Sequence, residues 1–255
     1  MGDPLLKRDN GFKDYFSSQA GDYARFRPRY PDELFRYLAS IVPGKELVWD
    51  CATGNGQAAV ALAGEFEHVI ATDASERQIA NTPPHPRVEY RIAAAENSGI
   101  DSNTIDLVTI AQALHWFDLD RFYSEAQRVL KPRGVLAAWV YSLLRTAPAI
   151  DAVVNHYYSN VVGAFWPAER ALVEKFDQLP FPFAEIAAPS FDVVAQWNVE
   201  HLLGYLRTWS STQRFMAANK RDPLQSIENE LRSEWGDAKE LRRVVWPLTL
   251  RVGTL

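Results

Sequence analysis

Apolar and polar positions in the first half of the chain form a pattern that predicts strands alternating with helices. Short apolar runs typical of buried strands occur at 46–51, 68–73, 88–94, 104–112 and 135–143. Stretches with apolar side chains at helical spacing lie before or between these runs, at 31–42, 57–64, 75–80 and 119–130. Strands joined by helices of this length indicate βαβ units, so we predict an α/β fold with a largely parallel sheet.

The pattern changes in the second half of the chain. Residues 148–180 are rich in aromatic side chains and look helical, residues 198–210 form another candidate helix, and residues 244–252 are typical of a closing strand. We interpret this half as the last part of the same sheet with an inserted cap; a separate small lobe is the alternative. The predicted divisions are an N-terminal lid arm, a core, and the cap with the final strands, at 1–30, 31–147 and 148–255.

Composition narrows the classes of function. The 255-residue chain is 47% hydrophobic, which is enough for a sizeable core. Its net charge is −5 and its longest basic cluster is the pair Arg242 and Arg243, so a nucleic-acid partner is not expected. The single cysteine, Cys51, excludes an intramolecular disulfide and fits a reducing compartment. No apolar run approaches the roughly 18 residues of a membrane span, so we expect a cytoplasmic protein that does not bind membranes.

The stretch DCATGNGQ, residues 50–57, lies between the first predicted strand and the helix that follows it. Gly54 and Gly56 lack Cβ atoms, which lets a ligand approach the backbone at the edge where open α/β sheets bind ligands. Together with Ala59 they match the dinucleotide pattern G-x-G-x-x-A, and Asp73 follows at the second strand end. A tight turn without a ligand is the alternative for so short a pattern.

A carboxylate directly before this loop favours a cationic ligand. Asp50 ends the first predicted strand, where it would repel the two phosphates of a nicotinamide dinucleotide. S-adenosylmethionine (SAM) has no phosphates and carries a sulfonium and an ammonium group. Asp73 can accept both ribose hydroxyls. The alternatives are that Asp50 only holds the loop and that Asp73 caps the next helix, which does not exclude ribose binding.

These residues belong to a longer stretch, 47–141, that resembles the class I SAM-dependent methyltransferases. The resemblance is carried by DCATGNGQ, by TDAS at 72–75, by AAAENSGI at 93–100, by IDLVTIAQALHWFDLD at 105–120 and by LKPRGVLAAW at 130–139. Within that family, AQALHWFD and the N-terminal YARFRPRYPDEL are most similar to a small-molecule branch that includes trans-aconitate methyltransferase-like proteins. The resemblance implies a Rossmann-like, seven-stranded, mostly parallel sheet with helices on both faces and a C-terminal cap.

The same resemblance implies SAM as the cofactor and assigns its binding to loops at the ends of four strands. The residues are Asp50, Ala52, Gly54, Asn55 and Gly56 after the first strand, Asp73 and Ala74 after the second, Ala95 and Glu96 after the third, and Gln112 and Ala113 after the fourth. Asp73 would hold the ribose hydroxyls, and Gln112 would face the cofactor from the substrate side. Ala52 stands where the family has its first glycine, which puts the position of the methionine end in question.

Methyl transfer from a sulfonium is an in-line displacement that depends on orientation and exclusion of water. No cluster of metal-ligating residues occurs in the sequence, so no metal is expected. His115 follows the fourth strand and could contact substrate or act as a base. We favour the alternative, in which His115 and Trp116 form the wall of the cleft, because a carboxylate acceptor is already ionised and needs no base.

Two other regions carry candidate residues. The N-terminal arm interleaves aromatic residues with arginines and could form a lid that binds a carboxylate, for which the resemblance favours Tyr23 and Arg27. An arm packed on the sheet is the alternative. The cap supplies candidates for the substrate pocket, each of which could instead belong to the core or the surface: Tyr157, Trp166, Arg207 and Trp209.

The sequence therefore predicts a SAM-dependent methyltransferase that acts on a small-molecule acceptor, with a carboxylic acid as one candidate. An NAD(P)-dependent oxidoreductase is the first alternative, against which Asp50 and the lack of a Tyr-x-x-x-Lys pair count. A protein that binds SAM without catalysis is the second. The acceptor atom and the oligomeric state are left open.

Overall fold

The computed structural model describes residues 26–255, in which strands and helices alternate through the first half as predicted. The strands are β1 Leu47–Cys51, β2 His68–Asp73, β3 Val88–Ile92, β4 Ile105–Ala111, β5 Leu130–Tyr141, β6 Ala184–Glu185, β7 Asp192–Trp197 and β8 Arg242–Thr254. The helices are α1 Asp32–Ile41, α2 Gln57–Leu62, α3 Glu76–Ile79, α4 Leu119–Val129, α5 Pro148–His156, α6 Arg170–Glu174, α7 Val199–Arg207, α8 Ser210–Asn219 and α9 Glu228–Trp235. The predicted Rossmann-like α/β fold is confirmed, with eight strands in the described residues rather than seven.

The sheet places the ends of its central strands at one edge. Its order is β3-β2-β1-β4-β5-β8-β6, in which β1 to β5 are mutually parallel and β8 is antiparallel to β5. Because parallel strands share a direction, the loops after β1, β2, β3 and β4 all leave from the same edge. This edge is where ligands bind in open α/β sheets.

The central strands are buried on both faces, as their near-continuous apolar runs predict. Successive side chains of a strand point to opposite faces, so Trp139 and Val140 of β5 lie in different buried clusters. Helices α1 and α2 cover the Trp139 face with Leu38 and Leu62, and α4 covers the other face with Phe122. The two layers of helices hold the strand ends, and thus the loops, in fixed positions.

Strand β5 begins earlier than the sequence predicts. The stretch KPRG was expected to separate the fourth helix from a strand at 135, but the strand already starts at Leu130. Arg133 adopts a φ of 67°, and the pairing with β4 shifts register between Ile105 and Leu107. The proline and glycine are therefore accommodated as an irregularity inside the strand rather than as a break.

The second half of the chain is built on a long strand, β8, that pairs with two different strands. Residues 242–247 of β8 pair with β7, whereas residues 248–254 pair with β5, and Pro247 lies where the pairing changes. The predicted helical stretch 148–180 contains only short pieces, α5 and α6 with 3₁₀ and π turns between and after them. No helix within residues 26–255 is long and apolar enough to cross a membrane.

A buried carboxylate sets the start of β1 against β4. Asp106 of β4 is 1% exposed, and its Oδ2 accepts hydrogen bonds from the backbone N–H groups of Glu46 and Leu47, each at 3.0 Å. Its Oδ1 lies 2.9 Å from Nζ of Lys131. Removing the carboxylate would leave two backbone donors without their partner, and Lys131 would keep only its ion pair with the exposed Glu46.

We expect Asp106→Ala to lower the free energy of unfolding by about 2–4 kcal/mol, because these partners lose charge-assisted hydrogen bonds in a buried place. Urea unfolding measures the change. Glu89→Ala is the matched control, since Glu89 pairs with Arg91 on the surface and should contribute less than about 1 kcal/mol. Equal losses in the two variants would show that Asp106 does not hold the strands as described.

Candidate cofactor and acceptor site

The loop between β1 and α2 is a sharp turn with left-handed backbone at three positions. Ala52, Gly54 and Gly56 have φ values of 55°, 57° and 81°. A Cβ on Gly54 would meet no atom of residues 26–255 within 4 Å, which leaves room for a ligand beside it. A Cβ on Gly56 would lie 2.7 Å from Oη of Tyr90, so that glycine is required by packing beneath the loop. Ala52 has the strain of an L-residue in this region, about 1 kcal/mol.

Asp50 ties this loop to the neighbouring strand. Its fully buried carboxylate accepts hydrogen bonds from Oγ1 of Thr53 at 2.5 Å and from Oγ1 of Thr109 at 2.8 Å. Burial raises the pKa of Asp50 to about 6, an effect that the two hydroxyls oppose and the charge of Asp73 reinforces. These contacts show that Asp50 holds the loop in place. Its predicted role beside the cofactor stays a prediction.

Asp73 holds the same loop from β2. Its Oδ2 accepts a hydrogen bond from the N–H of Gly54 at 2.9 Å, and its Oδ1 accepts one from the N–H of Ser75 at 2.8 Å. The N-cap of α3 is Ser75, whose hydroxyl accepts from the N–H of Gln78, so the alternative that Asp73 caps this helix is wrong. A carboxylate has about four acceptor sites, so these contacts are compatible with ribose binding.

Three carboxylates, those of Asp50, Asp73 and Glu96, lie around the start of the β1–α2 loop. Burial raises the pKa of the Cys51 thiol, and the charges of Asp50, Glu96 and Asp73 raise it further. Such a field attracts the cationic groups of SAM and repels the phosphates of a dinucleotide. This negative field and the open space beside Gly54 both fit SAM as the ligand of the loop.

The structure brings the other predicted cofactor residues to the same edge. Ala95 and Ala113 are buried, Asn55 is half-buried, and Ala74 is exposed at the rim. Glu96 accepts a hydrogen bond at 3.0 Å from the N–H of Asp118, which links the loop after β3 to the start of α4. The binding roles of these residues stay predictions. Tyr23, the predicted lid residue, lies outside the described residues.

A cavity of about 90 Å³ lies beside the end of β4, between the sheet edge and the cap. Aromatic rings and hydrogen-bond donors line it, chiefly Arg27, Gln112, His115, Trp116, Tyr141, Tyr158, Trp166, Arg170, Tyr205 and Trp209. No aspartate or glutamate of residues 26–255 belongs to this lining. The cavity therefore favours an acceptor that is flat or apolar in part and carries negative charge.

His115 and Trp116 lie in the turn that joins β4 to α4. His115 is 6% exposed, and its ring centroid is 4.7 Å from that of Trp116. Both line the cavity, which agrees with the predicted wall of the cleft. A role of His115 as a base stays a prediction.

The cap supplies two of its four predicted residues to the cavity. Trp166 and Trp209 line it, with ring centroids 5.5 Å apart. Tyr157 is fully buried in the cap core, where its hydroxyl lies 2.8 Å from that of Thr212. Arg207 does not reach the cavity, which corrects that prediction.

Helix geometry explains the position of Arg207. Tyr205 of α7 faces the cavity, whereas Arg207, two residues later, lies on the opposite face of the helix; Trp209 lies beyond the end of α7. Its side chain is exposed, and its Nη2 lies 2.8 Å from Oδ2 of Asp222.

The sequence analysis missed several cavity residues, among them Tyr141, Tyr158, Arg170 and Tyr205. Tyr141 ends β5 at the ligand-binding edge, so the rule that identified Asp50 and Asp73 could have found it. Its hydroxyl accepts a hydrogen bond at 2.8 Å from Nη1 of Arg27, whose guanidinium lies 5.2 Å from the ring of Tyr205. Arg170 has no comparable signal, because only the folding of the cap brings it to the cavity.

We expect the free energy of unfolding to depend on pH through the ionisation of Asp50. Because the folded-state pKa of about 6 lies above the ordinary 3.8, the folded protein binds this proton more tightly than the unfolded chain. The resulting stabilisation is complete below about pH 4 and is lost as the pH rises through 6. Relative to Asp50→Asn, the wild type should lose about 2–3 kcal/mol of unfolding free energy between pH 4 and pH 7, measured by urea unfolding. A constant difference between the two proteins would contradict the raised pKa.

The chain matches known proteins over this fold and this site. Residues 49–138 match a family model described as a methyltransferase domain. A protein of Dictyostelium discoideum named as a methyltransferase is 34% identical over 237 residues, which is 89% of this chain and 90% of that protein. A structure from Anaeromyxobacter dehalogenans, described as a type II methyltransferase, has 43% identity and a TM-score of 0.85 over 90% of this chain and 98% of that one.

A more distant structure shows the likeness of the fold alone. The phosphoethanolamine N-methyltransferase 2 of Haemonchus contortus, solved with phosphomonomethylethanolamine and S-adenosylhomocysteine (SAH), has a TM-score of 0.50 and 17% identity. The match covers 95% of this chain and 58% of that one. The relatives of higher identity extend over nine-tenths of the chain, and on that ground the protein belongs to the class I methyltransferase family.

Proposed function

We propose that this protein uses SAM to methylate a small-molecule carboxylic acid. The observation that carries the proposal is the pairing of an acidic loop (the β1–α2 loop, with the carboxylates of Asp50, Asp73 and Glu96 around it) with a cavity lined by Arg27 and Arg170 and, in residues 26–255, by no acidic side chain. The acidic loop suits the cationic cofactor, and the cavity suits an anionic acceptor. The sequence resemblance to a small-molecule branch with trans-aconitate methyltransferase-like members supports the same choice.

Bound SAM supplies a methyl group on a positively charged sulfur. The residues of this chain would then orient the two partners and exclude water, which is worth several kcal/mol in well-oriented systems. A carboxylate is ionised at neutral pH, so no side chain has to remove a proton from it. This chemistry fits a cavity whose histidine packs against a tryptophan.

Arg170 is the side chain best placed to bind the acceptor's negative charge. Its Nε donates a hydrogen bond to Oη of Tyr158 at 3.0 Å, and its guanidinium lies 5.1 Å from the ring of Trp166. These contacts fix the guanidinium plane, while no carboxylate of the described residues forms an ion pair with it. A guanidinium held in this way can bind a carboxylate through two parallel hydrogen bonds.

The cofactor assignment predicts a selective thermal shift. SAM or SAH at 100 times its dissociation constant should raise the melting temperature by about 5–10 °C, and NAD or NADP should leave it unchanged. Asp73→Asn, which weakens ribose binding, should roughly halve the SAH shift if affinity falls about tenfold. Glu89→Gln, on the surface of β3, is the control and should keep the full shift. A shift with NAD and none with SAM or SAH would contradict the cofactor assignment.

If the acceptor is a carboxylic acid, replacing Arg170 should lower turnover, whereas replacing Arg207 should not. We expect SAH release with at least one acid in a panel of mono-, di- and tricarboxylic acids. Arg170→Gln should lower kcat/KM for that acid about 10- to 100-fold, because a hydrogen-bonded charge pair is lost. Arg207→Gln should retain wild-type turnover, since Arg207 pairs with Asp222 outside the cavity. Turnover of amines or phenols but of no acid would reject this acceptor class, and SAH binding without any turnover would favour a non-catalytic protein.

A further inference from the structure

Gln112 has an unfavourable backbone conformation directly after β4. Its N–H donates a hydrogen bond to the carbonyl of Trp139 at 2.9 Å, which continues the pairing with β5 and fixes the residue in place. Its φ is 61°, in the left-handed region that glycine adopts without strain. A glutamine at such a position has a stability cost that a glycine would avoid, which points to a use for its side chain.

The side chain of Gln112 adds a second cost. Its Nε2 atom is buried and has no hydrogen-bond partner in the described residues. Buried amide groups are nearly always paired in folded proteins, because an unpaired donor has lost its water without compensation. A strained backbone and an unpaired donor at one residue are typical of a group that awaits a ligand.

Gln112 lies where the cofactor loop meets the cavity. Strand β4 pairs with β1 so that Ile110 is opposite Cys51, which places Gln112 next to the turn at Ala52. Gln112 also lines the cavity together with His115 and Tyr141. It is therefore near the place where the acceptor must meet the methyl group.

We propose that Gln112, which the family resemblance assigns to the cofactor, binds the acceptor instead, with its Nε2 donating a hydrogen bond to a carboxylate oxygen. This inference rests on the proposed function. One oxygen of the acceptor carboxylate forms the new bond to the methyl carbon, the sulfur–carbon bond breaks, and its electron pair stays on sulfur, which gives a methyl ester and SAH. The Gln112 amide holds the other oxygen and so orients the attacking one.

Two variants separate this role from a structural one and from cofactor binding. Gln112→Leu keeps much of the volume but removes the amide, and Gln112→Glu keeps the shape but replaces the donor with an anion. Both should melt within about 2 °C of the wild type and bind SAH within about twofold, measured by calorimetry. Leucine should lower kcat/KM about 10- to 100-fold, and glutamate should lower it further by repelling the acceptor.

Conservative and matched variants complete the experiment. Gln112→Asn keeps an amide and tolerates a positive φ, so it should restore part of the activity. Gln213→Leu removes an amide whose Nε2 donates to the carbonyl of Arg207 at 2.7 Å, and it should keep full turnover. A large fall in melting temperature for Gln112→Leu would assign the amide a structural role. More than tenfold weaker SAH binding would assign it to the cofactor, and full activity of Gln112→Glu would exclude an anionic partner.

A second measurement does not depend on turnover: it follows the melting temperature of the SAH-saturated protein as benzoate is added. If no acid in the panel is methylated, the proposed function fails. A thermal shift by benzoate that is present in the wild type and absent in Gln112→Leu would still support the binding role of Gln112. A wild type that benzoate does not shift would overturn that role as well.

Discussion

Two carboxylates at the ends of β1 and β2 fix the path of the loop on which the site depends. Asp50 bonds the hydroxyls of Thr53 in the loop and Thr109 in β4, and Asp73 bonds the N–H of Gly54. The loop is thus held from both neighbouring strands before any ligand binds. Preorganisation of this kind reduces the ordering cost of binding.

The same carboxylates decide the charge of the ligand that the loop can accept. Asp50 is buried so completely that its pKa rises to about 6, which shows how costly an isolated negative charge is in this place. A cationic ligand beside it would reduce that cost, whereas a pyrophosphate would increase it. Structural support and ligand choice therefore come from one feature of the molecule.

Two of the five non-glycine residues with a positive φ in the described part of the chain lie at this edge of the sheet. Ala52 and Gln112 are both left-handed without being glycine, and they lie on adjacent strand ends. Strain persists where the surrounding structure fixes the backbone, as the Asp50 contacts and the β4–β5 pairing do here. The two strained residues lie where cofactor and acceptor would meet. The helix-covered sheet behind the loop supports them rigidly.

The sequence was sufficient for the parts of the molecule that depend on local pattern. Asp50 and Asp73 could be identified because a strand end next to a glycine loop is a position with a fixed place in an α/β sheet. The residues that the cap contributes to the cavity could not be predicted in this way. Periodicity marks 198–210 as a helix, yet it does not say which face meets the cavity, so Arg207 was chosen although Arg170 lies there. The change of β8 from one partner strand to another at Pro247 and the contact of Trp166 with Trp209 depend on distant segments of the chain.

A crystal structure of the protein grown with SAH tests the central claim most directly. The claim predicts density for the adenosine group beside Asp73 and Ala95 and for the amino-acid group at the Ala52–Gly54 turn, with the sulfur toward Gln112. Density for SAH on another surface, or a β1–α2 loop without ligand at a saturating concentration, would contradict it.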